Sequence, residues 1–308
     1  MIVVRNTDTF PEAGNTIVTT GTFDGVHRGH RKIFHAMKHL SSKTGMKTVV
    51  VTFHPHPRQV LQKEPEKLHL LTTLDEKIEL VKSTGIDYLV IIEFTRDFAK
   101  LNPAEFISDI LVKNLHAQLV FTGYDHAFGK GQSGSKNTLK EISAQHGLNV
   151  HEVEALQENG HIISSSIIRE HLEKGEVEAA AKKLGYPYRI QGIVVKGNRL
   201  GRKIGYPTAN IAVRDKLKLI PEPGVYAVHV YTPEGRHNGM LNIGKRPTLN
   251  TSKATVEVHI FNLNADLYEQ EITVSFVKFI RKENKFNNMN ELRKQLDRDK
   301  DVAGKILE

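Results

Sequence analysis

The chain has 308 residues, 39% hydrophobic and 25% charged, a size and mix that allow two soluble domains with a core each. It has no cysteine, which excludes disulfides, thiolate metal sites and cysteine nucleophiles, and no apolar run near the roughly 20 residues of a membrane span. The formal charge of +8 is uneven: residues 1–185 hold 22 basic and 22 acidic side chains, residues 186–308 hold 21 and 13.

Met1 to Glu12 lacks the charged-then-apolar pattern of an export signal, so a cytoplasmic protein is expected. Thr16 to Thr20 is a β-branched run that predicts a short buried strand, and Ile33, Phe34, Met37 and Leu40 recur at helical spacing before Gly45, a plausible stop. Between them, Gly21-Thr22-Phe23-Asp24-Gly25-Val26-His27-Arg28-Gly29-His30 occupies a strand-to-helix turn. There an open α/β sheet offers backbone N–H groups and a helix N-terminus to an anion. The glycine spacing is neither G-x-G-x-x-G nor a P-loop. Two imidazoles three residues apart suit the charge that builds on a phosphate during displacement. A bare H-x-x-H is more often a surface helix pair or a metal-ligand fragment, and it is the strand–turn–helix setting of all ten residues that favours the phosphate.

Lys47 to Phe53 reads as a second strand, ended by His54-Pro55-His56-Pro57-Arg58 at the ligand-binding edge of the sheet. Asp75 to Thr84 reads as a helix capped by Thr72 or Thr73, Ile86 to Phe94 as a strand, and Asn102-Pro103 as the start of a helix buried through Phe106, Ile107, Ile110 and Leu111. Ala117 to Thr122 is the fourth strand, followed by the loop Gly123 to Gly131, and Val150 to Ala155 is a last one. This alternation predicts a parallel, doubly wound sheet. Ser164, Ser165 and Ser166 precede Ile167, Ile168 and Leu172, with Arg169 one turn in; the run is either a plain helix N-cap or a triphosphate site. His35 and His39 have no carboxylate at metal-ligand spacing and read as solvated.

Helical Val177 to Leu184 and the linker Gly185-Tyr186-Pro187-Tyr188 mark a boundary, giving domains 1–185 and 186–308. Beyond it the period changes to two. Arg189 to Val195, Gly224 to Tyr231, Gly239 to Ile243, Ala254 to Phe261 and Ile272 to Ile280 read as antiparallel strands of a small closed barrel. A helix follows at Met289 to Leu296, with Leu292 and Leu296 inward. Gly197, Gly201 and Gly205, four residues apart, predict a loop whose N–H groups can approach phosphate. The neighbouring Arg199, Arg202 and Lys203 suit a compact phosphate better than a nucleic-acid backbone. Pro207 fixes the next segment so that Thr208 and Asn210 point the same way, offering hard oxygen ligands of the kind Mg²⁺ accepts. An ordinary glycine-proline loop is the alternative.

The stretch Gly21 to His30 resembles the H-x-G-H signature of the nucleotidyltransferases, in the longer form of bacterial bifunctional FAD synthetases (riboflavin kinase/FMN adenylyltransferase). Ser164-Ser165-Ser166-x-x-Arg169 matches that family's second nucleotide motif. Pro207-Thr208-Ala209-Asn210, Thr255 to Phe261, Asp266-Leu267-Tyr268 and Arg281 to Phe286 match its riboflavin kinase signatures, in order, so the motifs span nearly the whole chain. The resemblance implies a Rossmann-like doubly wound nucleotidyltransferase domain followed by a riboflavin kinase β-barrel with a terminal helix. It implies phosphorylation of riboflavin to FMN with MgATP, then adenylylation of FMN to FAD with release of pyrophosphate. In the first domain, Gly21, Thr22, Phe23, Asp24, Gly25, His27, His30, Ser164, Ser165 and Arg169 would meet ATP, the two histidines as catalytic donors. Phe53, His54, Pro55, Tyr124, Asp125 and Phe128 would meet flavin. In the second, Gly197, Gly201, Arg202, Gly205, Thr208 and Asn210 would meet ATP, with Mg²⁺ on Thr208 and Asn210. Glu257 would be the base for the ribityl hydroxyl, and Arg281 and Glu283 would belong to the flavin-side wall or its mobile cover. Partners would be small molecules, not nucleic acid or membrane, with a homo-oligomer left open.

The chain departs from the family pattern at Ala127, where an arginine is common, and at Glu269, where a glycine is common. Two rival readings follow from the same residues. A class I aminoacyl-tRNA synthetase-like enzyme would bind RNA in a salt-sensitive way and leave Thr208, Asn210 and Glu257 unexplained. A flavin-binding module that has lost adenylyltransfer is the reading that Ala127 motivates.

Overall fold

The computed structural model describes residues 1–64, 67–123, 136–197, 200–245 and 254–308. Packing divides the chain into two compact units, Met1–Ser165 and Ser166–Glu308.

The first unit runs β1 (Ile2–Arg5), β2 (Thr16–Thr20), α1 (Arg28–Thr44), β3 (Lys47–His54), α2 (Pro57–Leu61), α3 (Leu74–Lys82), β4 (Tyr88–Glu93), α4 (Pro103–Glu105), β5 (Ala117–Thr122), α5 (Lys136–Gln145) and β6 (Asn149–Glu152), then the short β7 (Gln157–Glu158) and β8 (His161–Ile162). Six strands pair in parallel in the order β1-β4-β3-β2-β5-β6. From β2 the chain builds one side of the sheet through β3 and β4, then returns to build the other through β5 and β6. That reversal opens a crevice at the carboxyl end of β2, where Gly21 begins. All of β2 is buried, as a strand covered by helices on both faces must be. Val18, Val49, Val51, Val90 and Ile92 pack against Phe106, Ile107, Leu111 and Leu115. Helix α1 closes over the sheet with Ile33, Phe34 and Met37 and ends at Gly45 in the left-handed conformation (φ 75°).

Two details differ from the sequence reading. Strand β1 escaped it because only Val4 of its four residues is buried, too little for a period to register. The helix at Asn102 opens on a capping box with Glu105 but continues past α4 as a π-helix over Phe106–Asn114. The loop residues Tyr124, Asp125, Ala127 and Phe128 lie outside the described residues.

The second unit contains most of α6 (Ser165–Glu173), then α7 (Val177–Leu184), β9 (Arg189–Val195), α8 (Leu200–Lys203), β10 (Ala209–Val213), β11 (Gly224–Thr232), β12 (Gly235–Lys245), β13 (Ala254–Ile260), β14 (Glu271–Arg281) and α9 (Met289–Leu307). The strands close a barrel in the order β10-β13-β12-β11-β14-β9, every neighbour antiparallel. Leu241, Ile243, Val256 and Val258 fill the interior and alternate with outward Asn242, Thr255 and Glu257. The glycine-rich stretch is not loop throughout: Gly201 and Arg202 lie in the single turn α8, where the Tyr206 carbonyl comes too close to Gly201 for any Cβ. Helix α9 runs 11 residues beyond the expected Leu296. Its deepest positions are Asp299, Ala303 and Leu307, while Leu296 is half-buried. An aspartate and an alanine in the buried stripe blunt the apolar period that the sequence shows.

Candidate active sites

In the first unit the turn after β2 is backbone under strain. Phe23 (φ 45°), Gly25 (φ 81°) and Val26 (φ 37°) lie in the left-handed region. For a bulky or β-branched residue this costs about 1–3 kcal/mol each, and the surroundings must hold it. The buried Asp24 carboxylate accepts N–H groups from Leu71 and Thr72 at 3.0 Å and the Thr72 hydroxyl at 3.1 Å. Thr72 Oγ1 in turn accepts the Gly25 N–H at 3.1 Å. Lys77 on α3, 6% exposed, donates through Nζ to the Thr22 carbonyl at 2.6 Å, and Thr52 Oγ1 donates to the same oxygen at 3.2 Å. Ser165 Oγ donates to the Asp24 carbonyl at 2.9 Å.

The two imidazoles stack, ring centroids 3.6 Å apart and planes 20° from parallel. His27 is the N-cap of α1, its Nδ1 accepting the His30 N–H at 3.4 Å, so in the neutral ring the proton is on Nε2. Phe23 meets His30 edge-on at 5.1 Å. Gly21 and Gly29 make room for these rings: a Cβ would lie 3.1 Å from the Phe23 ring in one case and from the His27 ring in the other. Burial, then the neighbouring charges of His27 and Lys77, hold the His30 pKa well below its usual value, so its ring is neutral at pH 7. Its Nδ1 is buried with no hydrogen-bond partner among the described residues. Burial likewise pulls Lys77 down to about 8, against the opposing charge of Asp24.

The structure therefore brings Gly21 to Gly25, His27, His30 and Ser165 together, with Ser164 adjoining. Asp24 serves through its main chain and its anchoring carboxylate. Phe53, half-buried, joins Phe94 and Phe98 at ring distances of 5.7 and 5.9 Å, and exposed His54 with half-buried Pro55 ends β3 beside them. Arg169 is half-buried on α6 in the second unit.

In the second unit Asn210, Glu257 and Asn242 stand in one row across β10, β13 and β12, all facing outward. Thr208 Oγ1 donates to Glu257 Oε2 at 3.3 Å. A Cβ at Gly197 would collide with the Asn210 carboxamide, so that glycine leaves the amide its place. In the next row Gly244 lies beneath Glu283: a Cβ there would be 2.9 Å from Glu283 Oε1 and 3.0 Å from Thr255 Oγ1. The segment before Thr208 is fastened twice. His259 Nδ1–H donates to the Pro207 carbonyl at 2.8 Å, and the Tyr206 hydroxyl donates to Asp297 of α9. Burial and that bond push the Tyr206 pKa up to about 12. Arg281, expected beside flavin, spends its guanidinium on the buried Asp299, with Nε–Oδ1 at 2.9 Å and Nη2–Oδ2 at 2.6 Å. Arg202 is exposed and Gly205 takes a positive φ of 86° at the turn.

Among the described residues no three histidine or carboxylate side chains converge as a metal cage. The oxygens of Thr208, Asn210 and Glu257 do suit a hard cation that draws its other ligands from phosphate and water.

The FAD synthetase family model matches residues 9–167, and the riboflavin kinase model matches residues 184–307. The bifunctional riboflavin kinase/FMN adenylyltransferase of Bacillus subtilis is 37% identical over 95% of this chain and 92% of its own. The chain belongs to the bifunctional riboflavin kinase/FMN adenylyltransferase family. The Escherichia coli K12 member is 36% identical over 97% of this chain and 95% of its own. A crystal structure described as a macrolide-efflux protein from Streptococcus pneumoniae superposes with a TM-score of 0.91 and 31% identity, covering 98% of this chain and 99% of that one. No helix among the described residues is long and apolar enough to cross a membrane. As a riboflavin kinase/FMN adenylyltransferase the chain takes riboflavin, FMN and ATP, makes FMN in one reaction and FAD in the other.

Sequence reasoning passed over Lys77, Thr52, Tyr206, His259 and Asp299. A signal for Lys77 existed: it is three and four residues before Leu80 and Val81, on the buried face of α3.

Proposed function

We propose that the kinase reaction runs on the outer wall of the barrel around Glu257, and the adenylyltransfer reaction at the turn of His27 and His30. The functional division is residues 1–185 and 186–308, which the extents of the two family models support. In the kinase site Glu257 takes the proton of the ribityl 5′-hydroxyl as its oxygen attacks the γ-phosphorus and ADP leaves. Thr208 and Asn210 would hold Mg²⁺, which when bound neutralises charge on the ATP phosphates. Gly197, Gly201 and Gly205 let the main chain approach those phosphates, Arg202 adds charge, and Glu283 lines the flavin side while Arg281 braces the end of β14.

In the first unit the FMN phosphate attacks the α-phosphorus of ATP and pyrophosphate leaves. The side chains of His27 and His30 donate to the phosphate oxygens as charge builds there, with the Ser164 and Ser165 hydroxyls completing the contacts within that unit. Phe53, His54 and Pro55, with Tyr124, Asp125 and Phe128, receive the flavin. No side chain of the chain forms a covalent intermediate: both steps are in-line displacements that depend on positioning. Small molecules are the only partners of this reading, and its compartment is the cytoplasm.

The observation that carries the reading is the convergence of Thr208, just before β10, with Asn210 of β10 and Glu257 of β13 onto one outward patch. The test is incubation with riboflavin and MgATP, read by chromatography. FMN followed by FAD is expected. Thr208→Ala should stop FMN formation yet leave FAD formation from supplied FMN, and His30→Ala should do the reverse. Neither product from the unmodified protein, or both reactions failing in either variant when the chain is folded, would overturn it.

A further inference from the structure

Lys77 is an unusual residue to find under a nucleotide turn. It is a lysine on the inner face of α3, 6% exposed, and its Nζ reaches the Thr22 carbonyl at 2.6 Å and Thr52 Oγ1 at 3.4 Å. A buried cation is costly unless paired and hydrogen-bonded, so a chain that keeps one here obtains something from it. Its place shows what. The Thr22 carbonyl is the last fixed point before the left-handed residues Phe23, Gly25 and Val26. The Thr22–Phe23 peptide is trans, so holding its carbonyl toward α3 turns the Phe23 N–H the opposite way. None of the hydrogen bonds among the described residues uses that N–H.

We propose that Lys77 is a positioning residue for adenylyltransfer: its ammonium clamps the Thr22 carbonyl, and the clamped peptide presents the Phe23 N–H to an ATP phosphate oxygen beside His27 and His30. The group recognised is thus the phosphate chain of a nucleoside triphosphate, and the donor is main chain aimed by a side chain that never touches the ligand. Asp24 completes the clamp on the far side of Phe23 by gripping Leu71 and Thr72, three residues before α3 and at its threshold. A donor aimed at charge that develops in the transition state acts on kcat more than on KM.

The inference rests on ATP binding at this turn, so the experiment has a control for that reading. Full-length Lys77→Met, Lys77→Arg, Thr52→Val and His30→Ala chains are assayed for FAD formation from FMN and ATP, with FMN formation from riboflavin as the check on the second unit and circular dichroism with the urea midpoint as the check that the first unit is folded. Lys77→Met should lose on the order of tenfold or more in kcat, as removal of one preorganised donor does, with KM for ATP within about threefold. Lys77→Arg, which keeps the charge and a donor, should recover part of the loss. A kcat within twofold of the unmodified chain, or a loss carried by KM, overturns the inference. If Lys77→Met does not fold, Thr52→Val decides, because it removes the second donor to the Thr22 carbonyl and the hydroxyl that Lys77 Nζ also meets, while leaving the lysine in place: a reduced kcat upholds the clamp and an unchanged one overturns it. If His30→Ala leaves FAD formation intact, ATP is not read at this turn and the inference fails with it.

Discussion

Glu257 on β13 lies directly opposite Asn210 on β10 and accepts the Thr208 hydroxyl at 3.3 Å, so one carboxylate is held against two oxygen-bearing side chains of the preceding segment. This pairing turns the Glu257 assignment into a measurement. Glu257→Gln keeps the shape and removes the base, and FMN formation should fall about 10²–10⁴-fold. FAD formation from supplied FMN should not change. Retention of FMN formation would assign the proton to another acceptor.

Gly197→Ala should damage the same reaction from behind. The added methyl would take the place of the Asn210 carboxamide, which must swing out of the row it forms with Glu257. The expected outcome is a higher Mg²⁺ requirement for FMN formation, measured by titrating the metal at fixed ATP. An unaltered requirement would remove Asn210 from the metal site.

The Arg281–Asp299 pair makes a stability prediction. Asp299 is 1% exposed, and Asp299→Asn leaves the guanidinium without its counter-charge. Breaking a buried pair of this kind costs about 3–5 kcal/mol. Urea denaturation should show a lower midpoint, and the gap should persist in high salt because the pair is screened from solvent. An unshifted midpoint would mean that β14 does not depend on α9 for its end.

Much of this architecture is legible in the sequence, for reasons particular elements make clear. Strand β2 and helix α1 carry unbroken periods, so their bounds follow from Ile17, Val18, Ile33, Phe34 and Met37. Thr208 and Asn210 offer oxygen ligands by residue type and spacing, whereas Glu257 stands out only through the resemblance of Thr255 to Phe261 to a riboflavin kinase signature. What the sequence conceals is who holds these groups. Lys77 meets Thr22 across 55 residues, Asp24 meets Thr72 across 48, and Arg281 meets Asp299 only because α9 folds back on the barrel. Charged residues in buried stripes read as solvated faces until a partner distant in the chain is in view.

Buried histidines make the fold sensitive to acid. Burial lowers the pKa of His30, His229 and His259 from 6.5 in the folded chain. The unfolded chain therefore binds more protons below that value, and the contribution of these rings to stability is present above about pH 6.5 and lost as pH falls beneath it. The urea midpoint should drop between pH 7.5 and about 5.5, with a smaller drop in His30→Gln. A midpoint that rises on acidification would contradict the burial of these rings.

Helix α9 fastens the barrel at two places, Asp297 on the hydroxyl of Tyr206 and Asp299 on Arg281. Residues two apart on a helix project from nearly opposite flanks. One rod thus serves as a common post for the segment that leads into β10 and for the end of β14. A change at either aspartate frees one of these segments alone, whereas unwinding the rod lets both go at once.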